Sequence, residues 1–195
     1  MHGLINRAIE RFVRDTYGRG TWGRVTRLAR LDFTEFESML TYEAALTQDV
    51  LAAAETALGR PLPGILEDIG TYLVSHPKVE GLRRLLRFGG EDFAEFLHSL
   101  DDLPARARLA VADLEIPEME LCEHAPDLYS LTCRGSLPGF GHVVVGLLRA
   151  LADDYGALVL LEHKGGCEGT EIVEIRLLAM AHASGRKFDL GARAG

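Results

Sequence analysis

Through the first hundred residues the apolar positions recur every three or four places, the spacing that gathers them on one face of an α-helix. From Leu4 to Tyr17, Ile5, Ala8, Ile9, Phe12 and Val13 follow this rule, and Gly18 supplies a stop. Thr21-Trp22 opens a shorter second helix through Leu31. After a turn over Asp32 to Glu37, a third helix from Glu43 to Leu58 carries Leu46, Val50, Leu51 and Ala54 and ends at Gly59-Arg60-Pro61. Pro63-Gly64 starts a fourth with Ile65, Ile69, Tyr72 and Leu73, closed by Pro77 because a proline ring crowds the turn before it. Val79 to Phe88 continues as helix up to Gly89-Gly90. A sixth helix, from Glu91, sets Phe93, Phe96, Leu97, Leu100 and Leu103 on one stripe. Pro104 removes a backbone donor there, so this helix must end, kink or restart.

Beyond Pro117 the period changes. Met119 to Cys122 and Leu128 to Cys133 are short β-type runs separated by the turn-forming stretch His124 to Asp127. Pro138-Gly139 precedes a long helix, Gly141 to Tyr155, and the runs Ala157 to His163 and Glu171 to Leu178 flank Gly165, Gly166 and Gly169 as a hairpin. In the second run Val173, Ile175 and Leu177 alternate with Glu174 and Arg176, as on a sheet with one wet face. The expected class is therefore α+β: an N-terminal helical subdomain followed by a roughly four-stranded antiparallel sheet with one long helix packed on it. A chain of 195 residues without internal repeat or linker reads as one domain over residues 1–183, followed by a flexible Gly- and Arg-rich tail, 184–195.

Charge and cysteine content narrow the function. A formal net charge of -8 argues against a nucleic-acid partner, which needs a positive footprint, and the basic residues between Arg7 and Arg87 alternate with acidic ones as on solvated helix faces. Three cysteines without CxxC spacing fit reduced thiols. The apolar runs are too short to span a membrane and the N-terminus reads as an amphipathic helix, not a signal peptide, so the expected location is the cytoplasm.

No phosphate-cradling loop, GxSxG elbow, HExxH pair or metal-spaced Cys/His set is present, so an enzyme is not expected. Asp101 and Asp102 diverge by about 100° on a helix and read as a solvated helix end. Gly139-Phe140-Gly141 reads as a turn into a helix. Of the seven histidines, His2, His163 and His182 are expected at exposed edges, and His76 and His124 in turns. His98 and His142 sit nearest apolar faces and are the candidate metal or heme ligands.

The opening MHGLINRAIERFVRDTYG with the following TW, the stretch EFLHSLDDLPARARL, the segment IPEMEL and the helix GHVVVGLLRALADDYG occur in this order over most of residues 1 to 180. Together they resemble the heme-nitric oxide/oxygen binding (H-NOX, HNOB) family, which includes the heme domain of soluble guanylate cyclase β subunits. The resemblance implies an H-NOX-like fold, a heme b cofactor and a role in nitric oxide sensing and signal transduction. In the family a histidine ligates the iron and a Tyr-x-Ser-x-Arg motif holds the propionates. Here the histidine position is Pro104, which has no lone pair for a metal, and the motif reads Ser130, Thr132 and Arg134. Pro117 matches a family proline that packs on the porphyrin, and Ile5, Ile9, Leu73 and Val143 match distal positions, none able to donate a hydrogen bond. By resemblance such a pocket belongs with the nitric oxide-type members.

Three readings follow. The chain is a sensor that binds heme through a replacement ligand, His98 or His142, or a heme-free module acting through protein contacts, or a pocket for an apolar molecule other than heme. No output domain is visible in the sequence. The resemblance implies a separate signalling partner, a histidine kinase or a cyclic-di-GMP enzyme.

Overall fold

The computed structural model describes residues 1–167 and 169–186. Its first helix, α1 (Gly3–Tyr17), is capped by His2, whose Nδ1 accepts the Leu4 N–H at 3.1 Å. That role buries His2, against the exposure expected of a terminal residue: a ring that caps a helix lies against it. α2 (Arg19–Leu28) follows after Gly18, and Trp22 Nε1 donates to the Thr34 carbonyl at 2.8 Å, pinning the connection to α3 (Ala44–Leu58). The same connection is held by Glu10, a fully buried carboxylate on α1. It accepts from Arg7 at 2.8 Å, Arg14 at 2.7 Å and the Phe36 N–H at 2.8 Å. Phe12, Val13, Val25, Phe36, Val50 and Ile65 form the core beneath it.

α4 (Leu62–Ser75) crosses α8 (Phe140–Tyr155) at backbone contact. A Cβ on Gly70 would lie 2.0 Å from the Val143 carbonyl oxygen, and one on Gly146 1.8 Å from that of Glu67, so two glycines set the closeness of the crossing. Between these helices in the chain lie α5 (Glu80–Arg87), α6 (Phe93–His98) and α7 (Leu103–Ala110).

The sixth expected helix is broken twice over. A 3-10 turn, Leu100–Asp102, separates α6 from α7, and Pro104 lies in the first turn of α7. There its missing N–H would have had no helical partner, so the proline starts a helix. Asp101 fixes the break by accepting the Leu121 N–H at 2.7 Å, which ties the turn to the first strand.

The sheet comprises β1 (Glu118–Ala125), β2 (Leu128–Arg134), β3 (Leu158–Cys167) and β4 (Thr170–Ala179), in the order β1-β2-β4-β3 and antiparallel throughout. Tyr129, Leu131, Cys133, Val173, Ile175 and Leu177 point inward with α8 and α6 and form a second core. The architecture is the expected α+β one, helices first and then a four-stranded antiparallel sheet under a long helix. Residues 184–186 begin the stretch read as a tail, but the Arg186 N–H donates to the Asp154 carbonyl at 2.9 Å. The remainder of that stretch, 187–195, lies outside the described residues.

Candidate functional site

Where the two cores meet, they leave a cavity of about 280 Å³. α1 contributes Leu4, Ile5, Ala8 and Ile9, and α4 contributes Leu66, Ile69 and Leu73. α5 and α7 close one side through Leu86 and Leu103 among others, while α8 supplies Phe140, Val143, Val144 and Leu147 and β1 supplies Met119. Helical periodicity is the cause. Each of these helices turns one apolar stripe to its own core, and the cavity is where stripes belonging to different cores face each other. Among the described residues only Thr47 brings a polar side chain to the lining, and its hydroxyl donates to Asn6 Oδ1 at 2.8 Å.

Ile5, Ile9, Leu73 and Val143 thus come together in one wall system. Pro104 is buried beside it, since its neighbours Leu103 and Ala107 line the cavity and the proline itself does not. Pro117 also stays outside the lining, packed against Gly135. Ser130, Thr132 and Arg134 alternate with the buried Tyr129, Leu131 and Cys133, so strand geometry turns all three to the outer face of the sheet. Ser130 Oγ is 2.7 Å from His124 Nε2, and Arg134, 55% exposed at its side chain, donates to Glu120 at 2.6 Å. His98 is likewise on the outside, 3.6 Å from Glu123 with its ring edge-on to Tyr129.

His142 opens α8 in a second space, a cleft of about 550 Å³ between α4, the loop from Gly135 to Gly139 and the β3–β4 hairpin. Its ring stacks on His163 with centroids 3.9 Å apart, and its Nδ1 is buried 3.5 Å from Glu67 Oε1 without a hydrogen-bond partner. His163 is half-buried, against the exposure expected of it, because its Nε2 meets Glu171 Oε2 at 2.8 Å while Nδ1 accepts the Gly165 N–H. Glu171 in turn accepts the N–H groups of Gly139 at 2.7 Å and Gly141 at 3.0 Å, capping α8. Sequence reasoning missed this cluster because its four side chains, Glu67, His142, His163 and Glu171, come from four separate elements. The pairing of His163 with Glu171 across a glycine-rich hairpin was the available signal.

Cys133 lines neither space. Burial, with the Glu171 charge behind it, pushes the Cys133 thiol up to about 12, so it packs as a small apolar side chain. Among the described residues no group of three or more His, Cys, Asp or Glu side chains is arranged to hold a metal ion, and no helix is long and apolar enough to cross a membrane.

An antiparallel sheet and a shell of helices closed around one apolar chamber define a binding domain whose chemistry depends on what fills that chamber. A family model described as Haem-NO-binding matches residues 2–163, and the chain belongs to that family, the H-NOX domains. It is similar to soluble guanylate cyclase 89Db of Drosophila melanogaster, 23% identical over 175 residues, covering 87% of this chain and 26% of that protein. It is also similar to soluble guanylate cyclase gcy-31 of Caenorhabditis elegans, 26% identical over 155 residues, covering 79% of this chain and 22% of the relative. The chain spans about a quarter of the length of the curated relatives it matches. Among solved structures, the Fe(II) unliganded H-NOX protein from K. algicida superposes with a TM-score of 0.78 at 16% identity, over 97% of this chain and all of that one. An H-NOX protein from S. oneidensis gives 0.75 at 16% identity, over 96% of this chain.

The family implies heme, and the residues around the cavity do not fit it. Iron in heme is held by imidazole, thiolate, phenolate or a thioether paired with imidazole. Among the described residues the lining offers no histidine, cysteine or tyrosine, and its sole sulfur is the thioether of Met119. Among them it offers no lysine or arginine to meet two propionates either, and Arg134 is committed to Glu120 on the outer face.

Proposed function

We propose that this H-NOX domain is a heme-free sensor whose cavity takes an uncharged, apolar molecule. The observation that carries the reading is the lining itself, apolar among the described residues but for Thr47, whose hydroxyl already has a partner. Apolar surface entering such a space gains about 25 cal/mol per Å² removed from water. A porphyrin would gain this too, but its carboxylates would be buried without cations, and an unpaired buried charge outweighs the gain. A cavity with no hydrogen-bonding group to satisfy discriminates by shape and by the absence of charge.

Occupancy reaches the surface through α7. Leu103 and Ala107 line the cavity, and the turn before them is bonded through Asp101 to Leu121 of β1, so an occupant that displaces α7 moves the edge of the sheet. By analogy with the family, the reader of that movement is a signalling partner in the cytoplasm, a histidine kinase or a cyclic-di-GMP enzyme.

Titration with the apolar fluorophore N-phenyl-1-naphthylamine tests the cavity. Saturable blue-shifted emission at one site is expected, weakened at least tenfold by Val143→Trp, which fills the chamber. Emission that stays at its value in water would contradict the reading.

A further inference from the structure

The cavity and the cleft over His142 share a wall. Leu66, Leu137 and Pro138 line both, so these three residues stand between them. Gly139 adopts φ 79°, and a Cβ there would lie 2.4 Å from Leu66 Cδ1, so the glycine leaves this part of the wall to the leucine alone. Size bears on the question as well. Pockets for small molecules run from about 300 to 1,000 Å³, and a cavity of about 280 Å³ falls just short, whereas the adjoining cleft offers about 550 Å³ more.

The two spaces differ in chemistry. The cavity is apolar, while the cleft combines apolar walls with Ser136, His142, Cys167 and Thr170. Resting on the reading above, we infer that the ligand is an uncharged single-chain amphiphile, with its aliphatic tail in the cavity and a hydroxyl or carbonyl head in the cleft beside His142.

Charge decides the head. Glu171 lines the cleft and Glu67 stands 3.5 Å from His142, while among the described residues no lysine or arginine lines it, so a carboxylate head meets like charge. Arg149, the cation nearest to Glu67, is already paired with it at 2.9 Å. An ammonium head would have to compete at Glu171 with bonds already made, because Oε1 takes the Gly139 N–H and Oε2 takes the Gly141 N–H and faces His163 Nε2. His163 is saturated as well, with Gly165 on its other nitrogen. The groups left uncommitted are neutral or weakly polar. They are the His142 ring, whose buried Nδ1 has no hydrogen-bond partner, and the hydroxyls of Ser136 and Thr170, which have no side-chain hydrogen bond among the described residues. A hydroxyl or carbonyl head exchanges hydrogen bonds with these hydroxyls without setting a charge beside Glu171.

The test is displacement of N-phenyl-1-naphthylamine from the full chain by 1-decanol, sodium decanoate and decylamine. 1-Decanol is expected to displace the fluorophore at a concentration at least tenfold lower than either charged analogue. Ser136→Trp, at an exposed position on the cleft, should weaken 1-decanol at least fivefold and leave fluorophore binding unchanged. In the unaltered protein, the imidazole proton resonances of His142 should shift on adding 1-decanol and stay in place on adding cyclohexane. Equal displacement by all three heads, tighter binding of either charged analogue, or indifference to Ser136→Trp would overturn the head-group assignment while the cavity reading stands. Failure of the fluorophore to bind at all would remove both.

Discussion

Glu10 lies at the centre of the helical half of the molecule without any exposure to solvent. Its two oxygens join α1 to itself through Arg7 and Arg14 and to the Phe36 backbone, so one carboxylate fixes where the α2–α3 connection lies. Removing Glu10 leaves the Phe36 N–H without its acceptor while Arg7 and Arg14 keep Glu35, and an orphaned buried donor costs about 1–3 kcal/mol. Glu10→Ala should therefore lower unfolding stability in urea by about 2 kcal/mol, and a loss below about 0.5 kcal/mol would show that the network is not what holds the connection. In the sequence Glu10 reads as a solvated charge on an amphipathic helix. Its spacing from Arg14 was visible; its burial under Phe36 was not, because that depends on a residue 26 positions away. His2 escaped notice for the opposite reason, since a cap contact is local but a terminal histidine carries no mark of it. Pro104 was legible in part: the loss of a donor predicts a break, and whether the proline closes one helix or opens the next depends on the turn before it.

At the level of elements, hydrophobic period carried most of the information. Helices whose stripes face a core on one side appear near their expected bounds, as α1, α3, α4 and α8 do, and the alternation of Val173, Ile175 and Leu177 identifies β4. The separation of α6 from α7 was expected at Pro104 but not placed before it, because a single stripe runs through both and the turn between them is set by a bond from Asp101 to a strand. The crossing of α4 and α8 was hidden too, because a glycine within a helical pattern does not announce what approaches it. Ala at position 146 would drive a methyl group into the Glu67 carbonyl, and overpacking of this kind costs about 1–3 kcal/mol. Gly146→Ala should lower the thermal midpoint accordingly and, because α4 and α8 both line the cavity, weaken fluorophore binding at the same time. An unchanged midpoint would mean that the helices can separate without penalty.

On the scale of the whole molecule, two hydrophobic cores enclose a chamber between them, and its lining is drawn from both. The apolar character of that lining was readable, since Ile5, Ile9, Leu73 and Val143 all stand on helical stripes. The placement of Ser130, Thr132 and Arg134 was not, because it depends on which way β2 faces, and a strand places successive residues on opposite sides. The cleft at His142 depends on four elements meeting and leaves almost no trace in the linear chain. Among the described residues the chamber has no imidazole, thiolate or phenolate for iron and no cation for propionates. An absorption spectrum of the protein as isolated, repeated during titration with hemin, tests this most directly. The expected result is no Soret band before addition and, afterwards, only the spectrum of free hemin. A sharp, stoichiometric Soret band that is lost in Met119→Leu would contradict it.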